Sequence, residues 1–220
     1  MPLALFDLDN TLIDRAGAFR LWARSFTDRH RLGGEDEVGW LEDADEDGFS
    51  SRAAFFERVR ARYDLRQPVE ALVVAYRRDY PEFYPPASPE TLASLGALRS
   101  RGWKLGIVTN GLPTQEAKIA AAGLTAAVDG WAISAVAGVS KPDRALFQAA
   151  ADACGCTLEG AWMIGDNAAA DIRGAVDCGL RTVWIRRSRE WRTRDYRPDA
   201  IVDTVSEAVE HVLSTQGDTA

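Results

Sequence analysis

From Ser88 onward the sequence alternates between short apolar runs and helix-period segments closed by glycine, and few folds accommodate that rhythm. Residues 104–108, 131–134, 161–164 and 181–185 read as strands, with 131–134 the weakest of them. Between and around them, the segment from Ser88 and residues 113–122, 145–154, 168–178 and 206–213 read as helices. The first four are stopped by Gly102, Gly123, Gly155 and Gly179. In the first helix Leu92, Leu95 and Leu98 form one apolar stripe. Strands alternating with helices predict an α/β fold, a doubly wound, Rossmann-like parallel sheet.

The sheet's first strand stands at the N-terminus, where Leu3-Ala4-Leu5-Phe6 breaks into Asp7 and Asp9. About 95 residues separate it from the next strand, although a parallel crossover needs only about a dozen. The surplus is too long for an unstructured loop. Within it, Phe19, Trp22, Ala23 and Phe26 recur at helical spacing, as do Phe55, Phe56, Val59 and Tyr63, then Leu72, Val73, Ala75, Tyr76 and Tyr80. No strand-like alternation stands out. The expected organisation is a catalytic core of residues 1–14 and 88–220, with residues 15–87 inserted as an all-helical cap. A lid rooted beside a candidate active site can exclude water and select substrates.

Were the chain extended, Asp7 and Asp9 would point to one side of it, and two such acids repel unless a cation or shared proton relieves them. Mg2+ suits that need, because it takes oxygen ligands and keeps waters for a substrate phosphate. One carboxylate could act as nucleophile and the other as general acid/base. Thr109-Asn110-Gly111 and Gly165-Asp166-Asn167 also follow apolar strands directly, and Lys141 precedes a helix. A doubly wound sheet gathers such residues at the carboxyl ends of its strands. Acids, a lysine, a hydroxyl, an amide and helix N-termini together make chemistry for a metal-bound anion. Each element has a plainer explanation: Asn-Gly is a common turn pair, Asp166 and Asn167 suit a helix cap, and Asp171 a helix surface.

A net charge of -7 and a pI near 5.0 argue against nonspecific nucleic-acid binding and against an anionic membrane surface. No run approaches transmembrane length, and Asp7 interrupts the N-terminal apolar run too early for a signal peptide. A soluble, cytoplasmic protein is expected. Cys154, Cys156 and Cys178 are an odd, clustered set that suits neither a disulfide framework nor a zinc site, with His30 and His211 remote in sequence.

Asp7-Leu8-Asp9-Asn10-Thr11-Leu12, Thr109-Asn110-Gly111, Lys141-Pro142 and Gly165-Asp166-Asn167 with Asp171 resemble, in order, the four motifs of the haloacid dehalogenase superfamily of phosphohydrolases. The resemblance spans residues 1–14 and 88–205, and the helical insertion lies where that superfamily carries its first-position cap. It implies that Asp7 attacks phosphorus to form an aspartyl-phosphate, and that Asp9 protonates the leaving alcohol and then activates water. It also implies that the Asp7 carboxylate, the Asp9 main-chain carbonyl and Asp166 hold Mg2+, and that Thr109 with the main chain at Asn110 and Gly111 holds phosphate oxygens. Lys141 would neutralise charge on Asp7 and the phosphoryl group. Asp171 and Asn167 would act one layer out, Asp171 orienting Lys141 or a metal-bound water.

The implied activity is a Mg2+-dependent phosphatase acting on a small phosphorylated metabolite. A 2-haloacid dehalogenase would also use Asp7, without metal, but an acid/base two residues later is the phosphatase pattern. A phosphomutase has a similar core. A catalytically silent phosphometabolite-binding module is the rival outside enzymes, yet no candidate catalytic position is missing. Sugar phosphates, phosphoglycolate, nucleotides and flavin mononucleotide all suit the kit, and no motif specifies an oligomeric state. Arg15, Phe19, Arg20 and Trp22, which follow Asp9 into the lid, are expected to contact substrate. Asp43 to Gly48 matches the start of an EF-hand loop, but Ala54 stands where its bidentate glutamate belongs, so an acidic turn is expected. The basic run Arg186 to Arg194 reads as a solvated loop, with contact to an anionic substrate tail or a partner as the alternative, and Trp103, Trp131, Trp162 and Trp184 read as core.

Overall fold

The computed structural model describes residues 1–48 and 50–215. The chain divides into two compact units, Asp14–Pro85 and the remainder, Met1–Ile13 with the chain from Pro86 onward. In the larger unit, β1 (Leu3–Phe6) is buried at every position.

Asp14–Pro85 is helical. It comprises α1 (Arg15–His30), α2 (Glu35–Asp45), α3 (Arg52–Tyr63) and α4 (Val69–Asp79). Asp14 starts α1 by accepting the Gly17 N–H, and Ser51 starts α3 by accepting from Ala54. The aromatic residues at helical spacing converge in one cluster of Phe19, Trp22, Phe26, Phe55, Phe56, Tyr76 and Tyr80. Trp22 and Tyr76 meet edge to face at 4.8 Å. Helix α2, rich in acids and poor in large apolar residues, carried too weak a periodicity to be anticipated.

The larger unit continues with α5 (Pro89–Arg99), β2 (Lys104–Thr109), α6 (Gln115–Ala121), β3 (Gly130–Ile133), α7 (Ser134–Ala137), α8 (Arg144–Ala153) and β4 (Trp162–Gly165). After a π-helical turn, Ala168–Arg173, come α9 (Gly174–Asp177), β5 (Arg181–Ile185), β6 (Ala200–Val202) and α10 (Val205–Ser214). Among the described residues six parallel strands form one sheet in the order β3-β2-β1-β4-β5-β6. That order is the doubly wound one, with its switch point between β1 and β4.

Strand alternation divides the core between the two faces. Ala4 and Phe6 of β1, Leu105 and Ile107 of β2, and Trp162 and Ile164 of β4 join Leu95 and Leu98 of α5 and Val209 and Val212 of α10. Leu3, Leu5, Val108 and Met163 turn to the other face, against Leu146, Phe147 and Ala150 of α8. A side chain at Gly106 would meet Cys154 Sγ and Leu5 at 2.8 Å, which explains a glycine in the centre of β2.

Three expectations need correction, and one strand was not anticipated. Leu92 leaves the expected stripe and is exposed, because α5 buries only the Leu95 and Leu98 side against the sheet. Trp131 is half-buried, since β3 is an edge strand with a neighbour on one side only. The helix expected over 168–178 is π-helical in its first half. The sixth strand was invisible because Ala200-Ile201-Val202 is too short to show a period.

Candidate active site

The carboxyl ends of β1 and β4 flank the switch point, where a sheet of this kind opens a crevice for ligands. Asp7 follows β1 at once, its N–H held by Ile164 O of β4 at 2.9 Å. The chain then stops being a strand. Leu8 O accepts from Leu12 and Ile13, Asn10 N–H donates to Ile13 O at 2.8 Å, and Asn10 takes the left-handed region with φ 62°. Asn tolerates that region better than most residues. The turn overrides the extended geometry expected of Asp7-x-Asp9, so the two carboxylates engage different partners.

Lys141 organises the first set. Its buried ammonium lies 2.5 Å from Asp7 Oδ1 and 2.7 Å from Asp171 Oδ1, and also donates to Val108 O at 2.8 Å. The side chain of Asn110 holds the Lys141 main chain at both ends, accepting from its N–H at 2.8 Å and donating to its O at 3.1 Å. Asn110 thus braces the lysine with its side chain. Burial alone would lower the Lys141 ammonium, but the carboxylates of Asp171 and Asp7 outweigh it and hold it above its ordinary value. At Asp7, burial pushes the carboxyl well above the usual range. Lys141 pulls it down, and the neighbouring Asp171 and Asp166 carboxylates add to the rise.

Asp166 closes the set: one oxygen each from Asp7, Asp166 and Asp171 lies within 4.8 Å of the others. Asp171 reaches inward because Gly165 has no side chain; a Cβ there would come within 2.3 Å of Asp171 Oδ2. Asp171 also accepts from Asn167 N–H at 2.9 Å, while Asn167 Oδ1 accepts from Ala169 and Ala170 and starts the π-helical turn. Three buried carboxylates around one buried ammonium are a hard-oxygen donor set that fits a divalent cation such as Mg2+. Each of the three already has a cationic partner: Lys141 pairs with Asp7 and Asp171, and Arg187 and Arg189 reach Asp166.

The basic run is not a plain solvated loop. Arg189 donates to Asp166 Oδ2 at 2.9 Å and to Asp166 O at 2.7 Å, and Arg187 lies 3.5 Å from the same carboxylate. Trp184 Nε1 also donates to Asp166 O, at 2.8 Å, and its ring meets Trp191 at 5.0 Å. The crowding of carboxylates draws these cations in, which a count of local charge along the sequence does not reveal.

A second set surrounds Asp9. Lys118 Nζ lies 2.7 and 2.8 Å from its two carboxylate oxygens, and Gln115 Nε2 donates to Asp9 Oδ2 and to Thr109 Oγ1, each at 2.8 Å. The sequence reading overlooked both residues. One signal was available: Gln115, Lys118 and Ile119 share one face of α6, so polar groups sit on its core-facing stripe. Gly111 serves this set differently from expectation. Its N–H donates to Ser134 Oγ at 2.9 Å, and a Cβ there would lie 2.6 Å from Gln115 Cγ.

In the helical unit, Phe19 and Trp22 are buried in the aromatic cluster. Both pack against Phe55 of α3 and Trp22 also against Tyr76 of α4, while Phe19 and Arg15 line a cavity with Glu42 and Asp47. Arg15 pairs with Asp45 at 2.7 Å, and the exposed Arg20 with Glu35 at 3.3 Å. The EF-like stretch belongs to the end of α2 and the turn after it, where Asp45 is held between Arg15 and Arg52. Its glycine has a local reason: Gly48 has φ 90°, and a Cβ would come within 2.9 Å of the Arg15 guanidinium. The three cysteines are free thiols, and burial pushes that of Cys154 up to about 11. Among the described residues no helix is long and apolar enough to cross a membrane.

A family model described as haloacid dehalogenase-like hydrolase matches residues 1–179. The phosphoserine phosphatase of Thermus thermophilus is 36% identical over 188 residues, covering 85% of this chain and 71% of its own. The glyceraldehyde 3-phosphate phosphatase of Pyrococcus abyssi is 31% identical over 196 residues, covering 84% of this chain and 82% of its own. The crystal structure of the HAD-hydrolase YfnB from Bacillus subtilis, bound to magnesium, shares the fold with a TM-score of 0.80. That likeness covers 96% of this chain and 98% of the other at 23% identity. Matches of this length and similarity place the chain in a family, and it belongs to the haloacid dehalogenase-like hydrolases.

Proposed function

We propose that this hydrolase is a Mg2+-dependent phosphatase that cleaves a small phosphomonoester through an aspartyl-phosphate on Asp7. The observation that carries the reading is the buried Lys141 ammonium between Asp7 and Asp171, with Asp166 beside them. Phosphoryl transfer is mostly positioning and charge stabilisation, and this set supplies both. The naming of both curated relatives as phosphatases supports the same reaction class.

Asp7 and Asp166 would hold Mg2+, together with the Asp9 main-chain carbonyl. When bound, the ion offsets negative charge on the phosphoryl oxygens and on Asp7. Lys141 favours the ionised form of Asp7, the form that attacks. Thr109 and the main chain at Asn110 hold phosphate oxygens. Asp9 donates a proton to the departing alcohol, then accepts one from the water that hydrolyses the aspartyl-phosphate. In a dehalogenase the leaving halide needs no proton, so an acid at position 9 favours the phosphatase. The inserted unit, which begins directly after the Asp9–Ile13 turn, is read as the cap that sets substrate choice.

The test is phosphate release from a panel of phosphomonoesters, with Mg2+ and with a chelator, using Asp7→Asn as control. Metal-dependent release that disappears in Asp7→Asn is expected. Substantial release by that variant, or none by folded, Mg2+-loaded wild type on any ester, overturns the reading; halide release from 2-haloacids then becomes the assay of choice.

A further inference from the structure

A buried lysine and a buried glutamine on the core-facing side of a helix are expensive to desolvate, and α6 carries both: Gln115 is 5% and Lys118 7% exposed. Both aim at Asp9. The Lys118 ammonium spans the two oxygens of that carboxylate, and Gln115 ties one of them to the Thr109 hydroxyl. The two lie one helical turn apart, so a single rigid element presents them together. The absence of a side chain at Gly111 leaves the path that Gln115 follows. Asp9 itself sits on a turn rather than on the strand, with its own side chain 22% exposed. Such a carboxylate needs external contacts to hold one rotamer.

We propose that Gln115 and Lys118 are positioning residues that hold the Asp9 carboxylate at a set distance from the Thr109 hydroxyl. The inference rests on the reading of Asp9 as the proton donor to the leaving group and of Thr109 as a phosphate anchor. Within that reading, the distance from anchored phosphate to acid/base is set by one amide, Gln115, bonded to both ends. Lys118 prevents the carboxylate from rotating away. Lys118 acts through Asp9, and Gln115 through Asp9 and Thr109, so the effect of Lys118 is felt where the proton from Asp9 matters.

That condition supplies a test which a merely structural role would not meet. Leaving-group demand separates two esters: an alkyl phosphate must have its departing oxygen protonated, whereas p-nitrophenolate leaves unprotonated. Lys118→Met, which keeps the length of the apolar stem, should lower kcat/KM for an alkyl phosphomonoester about 10²-fold, the scale of a misplaced catalytic group. The pre-steady-state burst of p-nitrophenolate should fall far less. Gln115→Leu should show the same split with a smaller loss, and Lys118→Arg, which retains a cationic donor, should recover part of it.

Asp9→Asn, assayed in parallel, separates the two levels of the argument. A large split in Asp9→Asn with none in folded Lys118→Met or Gln115→Leu would overturn the positioning role alone. No split in Asp9→Asn would overturn the reading of Asp9, and the brace with it. Equal losses on both esters in Lys118→Met would reduce Lys118 to a structural residue.

Discussion

Each of the two units buries an ion network, one centred on a carboxylate and the other on an ammonium. In the helical unit the Asp45 carboxylate sits between two guanidiniums, Arg52 at 2.5 Å and Arg15 at 2.7 Å, with Asp47 3.9 Å from Arg15. Two cations and two anions balance there. The guanidiniums also lie over aromatic rings, Arg52 at 5.0 Å from Phe55 and 5.2 Å from Tyr76. In the sheet unit one ammonium, Lys141, lies between the buried carboxylates of Asp7 and Asp171, with that of Asp166 beside them. The arginines that reach Asp166 do so from more exposed positions, with side chains 26% and 40% exposed. Among the buried side chains, the sheet-edge network holds three carboxylates and one ammonium, and the two partly exposed arginines supply the remaining positive charge. Titrating groups crowded and perturbed in this way mark functional sites.

The contrast is sharpest in what each network loses on mutation. Lys141→Ala should reduce turnover about 10²–10³-fold, the usual worth of one preorganised charge contact, with phosphate release as the assay. An unchanged rate removes Lys141 from the site. Asp45→Ala leaves two guanidiniums without their central partner. It should destabilise the protein by about 3 kcal/mol, read as a lower urea midpoint, because breaking a buried pair strands charge. A midpoint equal to wild type would show the helical network to be ornamental.

Asp7→Asn should move stability the other way in metal-free protein. The carboxyl of Asp7 titrates above its ordinary 3.8 in the fold, so its contribution is full below that value and is lost as pH rises through the folded value. Asparagine never ionises and avoids the loss. At pH 7 the variant should therefore melt higher, by roughly 2–4 °C for each kcal/mol recovered, and the gap should close below about pH 4. A lower melting temperature at pH 7 would mean that the Lys141 contact outweighs the burial of charge. The smallest effect belongs to Arg189→Ala. A guanidinium on Asp166 opposes a cation there, so its removal should tighten Mg2+ binding by roughly threefold to fivefold, within the range of a partly exposed pair. Titration calorimetry reads this directly, and weaker binding in the variant would make Arg189 a support of the metal site instead.

The sheet unit was more legible than the helical one because its motifs sit where strands end. Asp7, Thr109 and Asp166 stand out as a polar break after an apolar run, a pattern local in sequence, whereas Lys141 entered through its place before a helix and the order of the motifs. Lys118 and Gln115 lack such a break, being polar residues within a helix. Only the face they share with Ile119 distinguishes them from solvated neighbours. Arg187 and Arg189 were discounted for a related reason: a basic run reads as a solvated face unless the acids it will meet are known. The packing of Phe19 and Trp22 was not legible, because an aromatic stripe has the same period whether it meets substrate or a neighbouring helix.

Periodicity and strand-end chemistry therefore determine, from sequence alone, the α/β core, the helical insertion and the candidate acids at the strand ends, since each depends on residues a few positions apart. Which groups compensate those acids was decided by the tertiary structure. The turn after β1 separates Asp9 from Asp7. Helix α6 brings Lys118 and Gln115 to the one, and the loop crossing to α8 brings Lys141 to the other. Electrostatic partnership depends on distance through space, and a charge remote in sequence becomes a partner only once the sheet has aligned the ends of its strands.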